Sequence, residues 1–187
     1  MATTADFRNG FTFQMEGELW KILEFLHVKP GKGGAFVRTK LRRLSDGAVI
    51  EKTFRAGERV DEVRIVARMM QYLYEADSLY YFMDNETYEQ YPLGKDLLVE
   101  AIPWLKETMN VKVVWHEDRP LWVEVPQYVE LAVSKTDPGV KGDTATGGSK
   151  PAVLETGTTV QVPLFVNEGD VVKVDTNSGE YMTRVSG

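Results

Sequence analysis

The sequence predicts an all-β protein made of small barrel-like modules. Two observations carry that reading. Val, Ile, Tyr, Phe and Thr recur in short runs bounded by Gly, Asn, Asp or Pro, the pattern of short strands rather than long helices. The boundaries are turn-forming: Glu16-Gly17-Glu18, Ser45-Asp46-Gly47, Ala56-Gly57-Glu58 and Asn177-Ser178-Gly179. A chain of 187 residues has room for two to three such modules.

Residues 1–64 form the first expected module. Its strands are read at 11–15, 19–28, 35–43, 49–54 and 62–66. Five short strands joined by tight turns fit a barrel, which leaves few exposed edges. Residues 65–127 form the second. Residues 64–74 are rich in aromatic and β-branched side chains and precede the turn signal Glu75-Ala76-Asp77-Ser78, which favours strand over amphipathic helix. Strands are expected at 79–83, 97–102, 110–116 and 121–125, with a short helical turn over 84–91 capped by Asp84 or Asn85. Pro126 marks the next boundary. Residues 128–187 form the third module, with strands at 128–134, 152–154, 159–163, 171–175 and 181–185.

Charge and composition exclude several classes. No apolar run approaches the roughly 20 residues of a membrane helix, and Met1-Ala2-Thr3-Thr4-Ala5-Asp6 does not read as an export signal. Cysteine is absent and His27 and His116 are the two histidines, so disulfides, thiolate ligands and a zinc site are not expected. The reading is a soluble cytoplasmic protein with no membrane partner. The formal charge is -6, but residues 1–64 carry 12 basic and 9 acidic side chains. Residues 65–127 carry 5 and 11, and residues 128–187 carry 5 and 8. The net positive charge therefore lies in the first module. Strand alternation puts Arg38, Lys40 and Arg42 on one face there. A solvated strand face is the plain alternative.

Lys29-Pro30-Gly31-Lys32-Gly33-Gly34 falls between two strand-like runs of that module. Gly31, Gly33 and Gly34 strip bulk from around Lys32 and give the backbone freedom. Lys32 then becomes a probe able to enter a narrow polyanionic cavity, or a primary amine for an acylating or alkylating enzyme. An ordinary exposed hairpin lysine is the alternative. The loop is not a phosphate-binding P-loop, since no Ser or Thr follows the lysine and no helix signal begins there. Nor is a histidine or carboxylate base adjacent to make it hydrolytic.

A second polar, glycine-bearing stretch covers 137–150 and includes Lys141, Gly142, Asp143, Thr144 and Lys150. Its donors and glycines suit phosphate and sugar contact, or a plain surface linker. Tyr72, Tyr74, Tyr80, Tyr81 and Phe82 could stack on bases, but core packing is the default in strands. His27 is read as packed and neutral, His116-Glu117-Asp118 as a turn without a nucleophile, and the four tryptophans as core or domain contacts.

These motifs resemble the bacterial elongation factor P family along essentially the whole chain. The early match runs from Val28 through the Lys32 loop to Arg38-Thr39-Lys40, then Lys52-Thr53-Phe54-Arg55-Ala56-Gly57-Glu58. The middle match is Gln71-Tyr72-Leu73-Tyr74 and Phe82-Met83-Asp84-Asn85-Glu86-Thr87-Tyr88-Glu89-Gln90. The late match covers 139–151 with Lys150-Pro151-Ala152, Gly157, Val160, Val162-Pro163, Val166 and Gly169-Asp170.

The resemblance implies an N-terminal SH3-like barrel and two OB-fold barrels in an elongated, tRNA-like arrangement. It implies a monomeric, non-enzymatic translation factor that binds both ribosomal subunits between the P and E sites. Such a factor relieves stalling at consecutive prolines by positioning peptidyl-tRNA. Lys32 then meets the CCA end, with Pro30, Gly31, Gly33 and Gly34 setting loop geometry. Arg38 and Lys40 are implied tRNA backbone contacts. Gly142, Asp143 and Thr144 are implied to face the small subunit and the E-site codon. No catalytic residue, metal or cofactor is implied. Lys32 is open to β-lysyl-type or aminopentanol-type extension by a lysine-modifying enzyme, or to none. A paralog within the family and a generic OB-fold RNA-binding module are the alternatives.

Overall fold

The computed structural model describes residues 1–139 and 147–187. Among them the chain is all-β, with sixteen strands and three short 3-10 turns. It divides into two compact units: residues 1–67 with 114–121, and residues 68–113 with 122–187.

In the first unit six strands form one sheet: β1 (Ala2–Thr3), β2 (Thr12–Met15), β3 (Glu18–Val28), β4 (Phe36–Arg43), β5 (Val49–Arg55) and β6 (Arg59–Glu62). Their order is β1-β6-β2-β3-β4-β5. β5 and β6 are joined by Ala56-Gly57-Glu58 although β5 is the far edge and β6 lies beside β1. The sheet must therefore curl until its edges approach. Thr4 ties that seam: its hydroxyl accepts from the Gly57 amide at 2.8 Å, and its amide donates to the Glu58 carbonyl at 3.0 Å. The curl encloses Phe7, Phe11, Phe13 and Phe54, whose ring centroids lie 5.4–6.2 Å apart, with Trp20, Ile22, Val37 and Leu41. The strand expected at 62–66 starts earlier, at Arg59. Chain leaving the tight turn pairs at once with β1, and Val60 enters the core.

β7 (Val66–Ala76), β8 (Leu79–Asp84), β9 (Gln90–Gly94), β10 (Asn110–His116) and β11 (Arg119–Glu124) form a second curled sheet, ordered β11-β10-β7-β8-β9. β7 is a strand, as its composition indicates. Its turn narrows to Asp77-Ser78, both in the left-handed region at φ 53° and 63°. The helical turn expected over 84–91 is a single turn, closed by the Tyr88 amide donating to the Asp84 carbonyl at 2.9 Å. Asp84 does cap the reversal, its carboxylate accepting from the Glu86 and Thr87 amides at 2.8 and 3.3 Å. The chain then enters β9, whose Pro92 and Gly94 obscured it as a strand.

The strand expected at 97–102 is absent. Residues Lys95–Leu97 and Ile102–Trp104 form 3-10 turns. Pro103 cannot donate to a ladder, and the run is apolar because Leu98, Ala101 and Trp104 are buried.

β12 (Tyr128–Thr136), β13 (Ser149–Leu154), β14 (Thr159–Pro163), β15 (Val171–Asp175) and β16 (Glu180–Ser186) form the third sheet, ordered β14-β13-β12-β15-β16. Its inner face carries Val129, Leu131, Val133, Ala152, Leu154, Val160, Val162, Val172 and Val174. Trp104, from the second 3-10 turn, completes this core, with Met109 and Val125 packed against it. The Thr156 and Thr158 hydroxyls both donate to the Pro103 carbonyl, at 2.6 and 2.8 Å. Lys106 pairs with Glu155 at 3.1 Å. Within the second unit the β9–β10 connection is thus tied to the third sheet.

Candidate functional site: the lysine-tipped hairpin

The β3–β4 hairpin presents Lys32 because its two strands are held in register close to the tip. Pairing runs from Trp20 opposite Arg43 to Val28 opposite Phe36. A bulge between Ile22 and Glu24 switches strand parity. Trp20 and Ile22 face the core below it. Above it Phe25 faces inward while Glu24 and Leu26 face out.

Beyond Val28 nothing packs. Lys29, Pro30, Gly31, Lys32, Gly33 and Gly34 are all exposed. Gly33 has φ +101°, a conformation L residues rarely adopt, so this glycine is required by the backbone. A Cβ at Gly31, Gly33 or Gly34 would meet nothing within 4 Å. Missing bulk at Gly31 and Gly34 is therefore not a packing requirement of the free chain. Among the described residues no hydrogen bond or ion pair holds Lys32. The result is a cation on a slender stalk, with no general base poised against it. His27, read as packed, is exposed and meets Phe25 edge to face at 5.7 Å.

The outer face of β3, β4 and β5 continues below the tip. Residues 37, 39 and 41 point inward and Arg38 and Lys40 outward, as alternation requires. Register places three cross-strand rows on this face: Val28–Phe36–Arg55, Leu26–Arg38–Thr53 and Glu24–Lys40–Glu51. A depression of about 360 Å³ covers the last two rows. Lys40 approaches Glu24 at 4.0 Å. The Arg38 guanidinium lies over the Phe36 ring at 5.7 Å. Arg55, exposed in the row nearest the tip, stood out in the sequence only within a matched motif; its place beside Arg38 depends on the β4–β5 register.

At the far end of β4 Arg43, opposite Trp20 and over its ring at 5.6 Å, is on the other side of the sheet; it grips Asp46 with two hydrogen bonds, of 2.9 and 2.6 Å. That pairing, with the Ala48 amide, holds the Asp46 carboxyl at about 2 instead of the usual 3.8.

The other candidates separate cleanly. Gly142, Asp143, Thr144 and Lys141 lie outside the described residues. The described chain on either side, residues 137–139 and 147–150, forms a closely packed stem. A Cβ at Gly139 would stand 2.6 Å from the Leu164 carbonyl oxygen. Lys150, read as a cation for a ligand, instead points inward and is buried, its ammonium donating to the Asp137 carbonyl. It joins the two sides of the stem.

Tyr72, Tyr80 and Phe82 are core residues, and burial raises the Tyr72 and Tyr80 phenols. Tyr74 and Tyr81 stack at 4.8 Å on the outer face of the second sheet. Trp20, Trp104 and Trp115 are buried. Trp122 is half-buried and donates to Glu124 at 2.8 Å. His116 sits at the end of β10, its Nδ1 2.9 Å from the Arg64 carbonyl.

Comparison with known proteins matches all three parts of the chain. Residues 3–60 match the elongation factor P KOW-like domain, residues 65–123 the elongation factor P OB domain, and residues 129–184 the elongation factor P C-terminal family. Elongation factor P of Natranaerobius thermophilus is 57% identical over 187 residues, covering 100% of both chains. That of Salinibacter ruber is 57% identical, covering 100% of this chain and 97% of the relative. That of Moorella thermoacetica is 54% identical over 98% of this chain and 100% of its own. Among solved structures, a eukaryotic translation initiation factor 5A from Methanococcus jannaschii aligns with TM-score 0.50 and 21% identity. It covers 67% of this chain and 90% of its own, a likeness of fold.

Proposed function

The chain belongs to the elongation factor P family of translation factors, and from that premise we propose that it binds the ribosome between the P and E sites and promotes peptide-bond formation at stalled, above all polyproline, sequences. The observation that carries this reading is Lys32: a cation without an ion-pair partner among the described residues, on an open glycine stalk, in a chain that matches the family from end to end. Proline's ring constrains the nascent chain and makes its orientation for attack costly. Positioning alone changes such a rate greatly without any group that attacks or transfers a proton. Lys32 reaches the CCA end of peptidyl-tRNA, and the ribosome's own peptidyl transferase does the chemistry.

In this reading the chain works as three modules, 1–64, 65–127 and 128–187, in the cytoplasm and as a monomer. The face beside the stalk meets tRNA through Arg38. Gly142, Asp143 and Thr144 meet the small subunit and the E-site codon. The exposed Lys32 amine is accessible to a modifying enzyme, and the intact mass of natively expressed protein identifies any added group.

The test is reconstituted translation of a reporter with consecutive prolines beside a matched reporter without them. Added protein raises full-length product from the proline reporter and leaves the control unchanged. Equal stalling with and without the protein contradicts the proposal.

A further inference from the structure

Lys150 is a cation in a core position. It shares the inner face of β13 with Ala152 and Leu154 and is 6% exposed. Among the described residues its ammonium has no carboxylate partner and donates to the Asp137 carbonyl. The β12–β13 ladder shows why a side chain makes this link. Its last register pair is Thr136 with Ala152. β13 continues through Pro151, Lys150 and Ser149, paired among the described residues with β14 only. Opposite, the chain leaves β12 as Asp137-Pro138-Gly139, and Pro138 has no amide to extend the ladder. The Lys150 ammonium reaches across where the backbone cannot. Two further contacts hold the same place. The Thr136 hydroxyl donates to the Pro151 carbonyl at 2.9 Å, and Gly139 runs so close to the Leu164 carbonyl that a Cβ has no room.

Stability alone does not ask for a cation here. Burying an ammonium is costly, and an apolar side chain of similar volume is expected to hold such a position at least as well. Resting on the reading above, we infer that Lys150 is a positioning residue: its ammonium fixes where the 137–150 connection leaves the third sheet, and the third module needs that arrangement to engage the ribosome. Gly142, Asp143 and Thr144, proposed to meet the small subunit, are carried by this stem. Lys150 itself touches no partner. Without its hydrogen bond a smaller fraction of molecules is ready to bind. A bond from a charged donor shifts such a balance by about tenfold or more, and apparent affinity falls by the same factor. Saturating protein makes up the difference. The signature is a higher concentration for half-maximal rescue at an unchanged plateau, whereas loss of Lys32 lowers the plateau.

The experiment titrates wild type, Lys150→Met and Lys135→Met against the proline reporter, with melting curves for each. Lys135 is exposed on the neighbouring β12 and controls for the loss of one positive charge. Lys150→Met should melt at or above wild type, reach the wild-type plateau and need about tenfold more protein for half-maximal rescue. Lys135→Met should titrate like wild type. If Lys150→Met melts early, the comparison passes to Lys150→Cys. The chain has no cysteine of its own, so that thiol alone is alkylated in the unfolded protein before refolding. Aminoethylation restores an ammonium at nearly the length of lysine, and propylation fills the same space without charge. The aminoethyl form should titrate like wild type and the propyl form should need more protein. Equal titrations of those two forms overturn the inference. So does an unchanged titration for Lys150→Met, an equal shift for Lys135→Met, or a lowered plateau. Rescue by wild type in the same assay separates the two levels. Rescue with an unshifted Lys150→Met removes the positioning role alone, whereas no rescue by wild type removes it together with the proposed function.

Discussion

The β3–β4 tip and the connection between β9 and β10 solve opposite problems with opposite residues. The tip, residues 29–34, is small, cationic and exposed, and it exports Lys32 into solvent. The connection, residues 95–109, buries Leu98 and Ala101 and sends Trp104, 7% exposed, into the core of the third sheet. One loop contributes nothing to its own unit's core. The other supplies part of a neighbouring sheet's interior. The difference teaches how to tell a working loop from a structural one: ask what its side chains would lose if the loop were removed from the rest of the fold.

Trp104→Ala gives the largest expected effect. Removing a buried tryptophan costs about 3–5 kcal/mol, and the loss falls on the second unit. Chemical denaturation should show an earlier transition for that unit. A stability change below 1 kcal/mol would show that the third sheet closes its core unaided, and the contrast with the tip would fail.

Glycine substitutions at the tip sharpen the other side. Gly33→Val forces a β-branched residue to φ +101° and costs about 1 kcal/mol or more in strain. Gly31→Ala and Gly34→Ala meet no atom and no positive φ, so stability should hold or rise slightly through the unfolded chain. Rescue lost at Gly31 or Gly34 with stability intact would locate the demand for small residues in the bound site. Rescue kept at both would confine it to Gly33.

A smaller effect separates the tip from the opposite end of β4. Asp46 is depressed to about 2 by Arg43. A lowered carboxyl pKa stabilises the folded form above the unfolded value and loses that contribution as pH falls from about 4 to 2. The pair is open to solvent, its side chains 36% and 50% exposed, so the contribution is small. Thermal midpoints at pH 4.5 and 2.5 should differ slightly less for Asp46→Asn than for wild type. No difference between the two proteins would remove the pair from the stability of the sheet.

Much of this was legible beforehand. The boundaries of β10, β14 and β15 follow directly from periodicity, and so does the outward face of Arg38 and Lys40. The Lys32 stalk is readable because glycine and proline act locally. What failed was long-range. The apolar run at 97–102 reads as a strand until Pro103 and the partnership of Trp104 with a distant sheet are known. Lys150 reads as a surface cation because sequence does not reveal that its strand turns it inward onto Asp137. Arg55 comes to lie beside Arg38 only through its register with Phe36. His27 follows an inward-facing reading that the β3 bulge and the nearby tip remove.

The central claim is that Lys32 carries activity while contributing nothing to the fold. The most direct measurement is rescue of the polyproline reporter by Lys32→Ala beside its melting curve. The account predicts unfolding within about 0.5 kcal/mol of wild type and loss of most of the rescue. A variant that is equally stable and rescues at the wild-type level would contradict it.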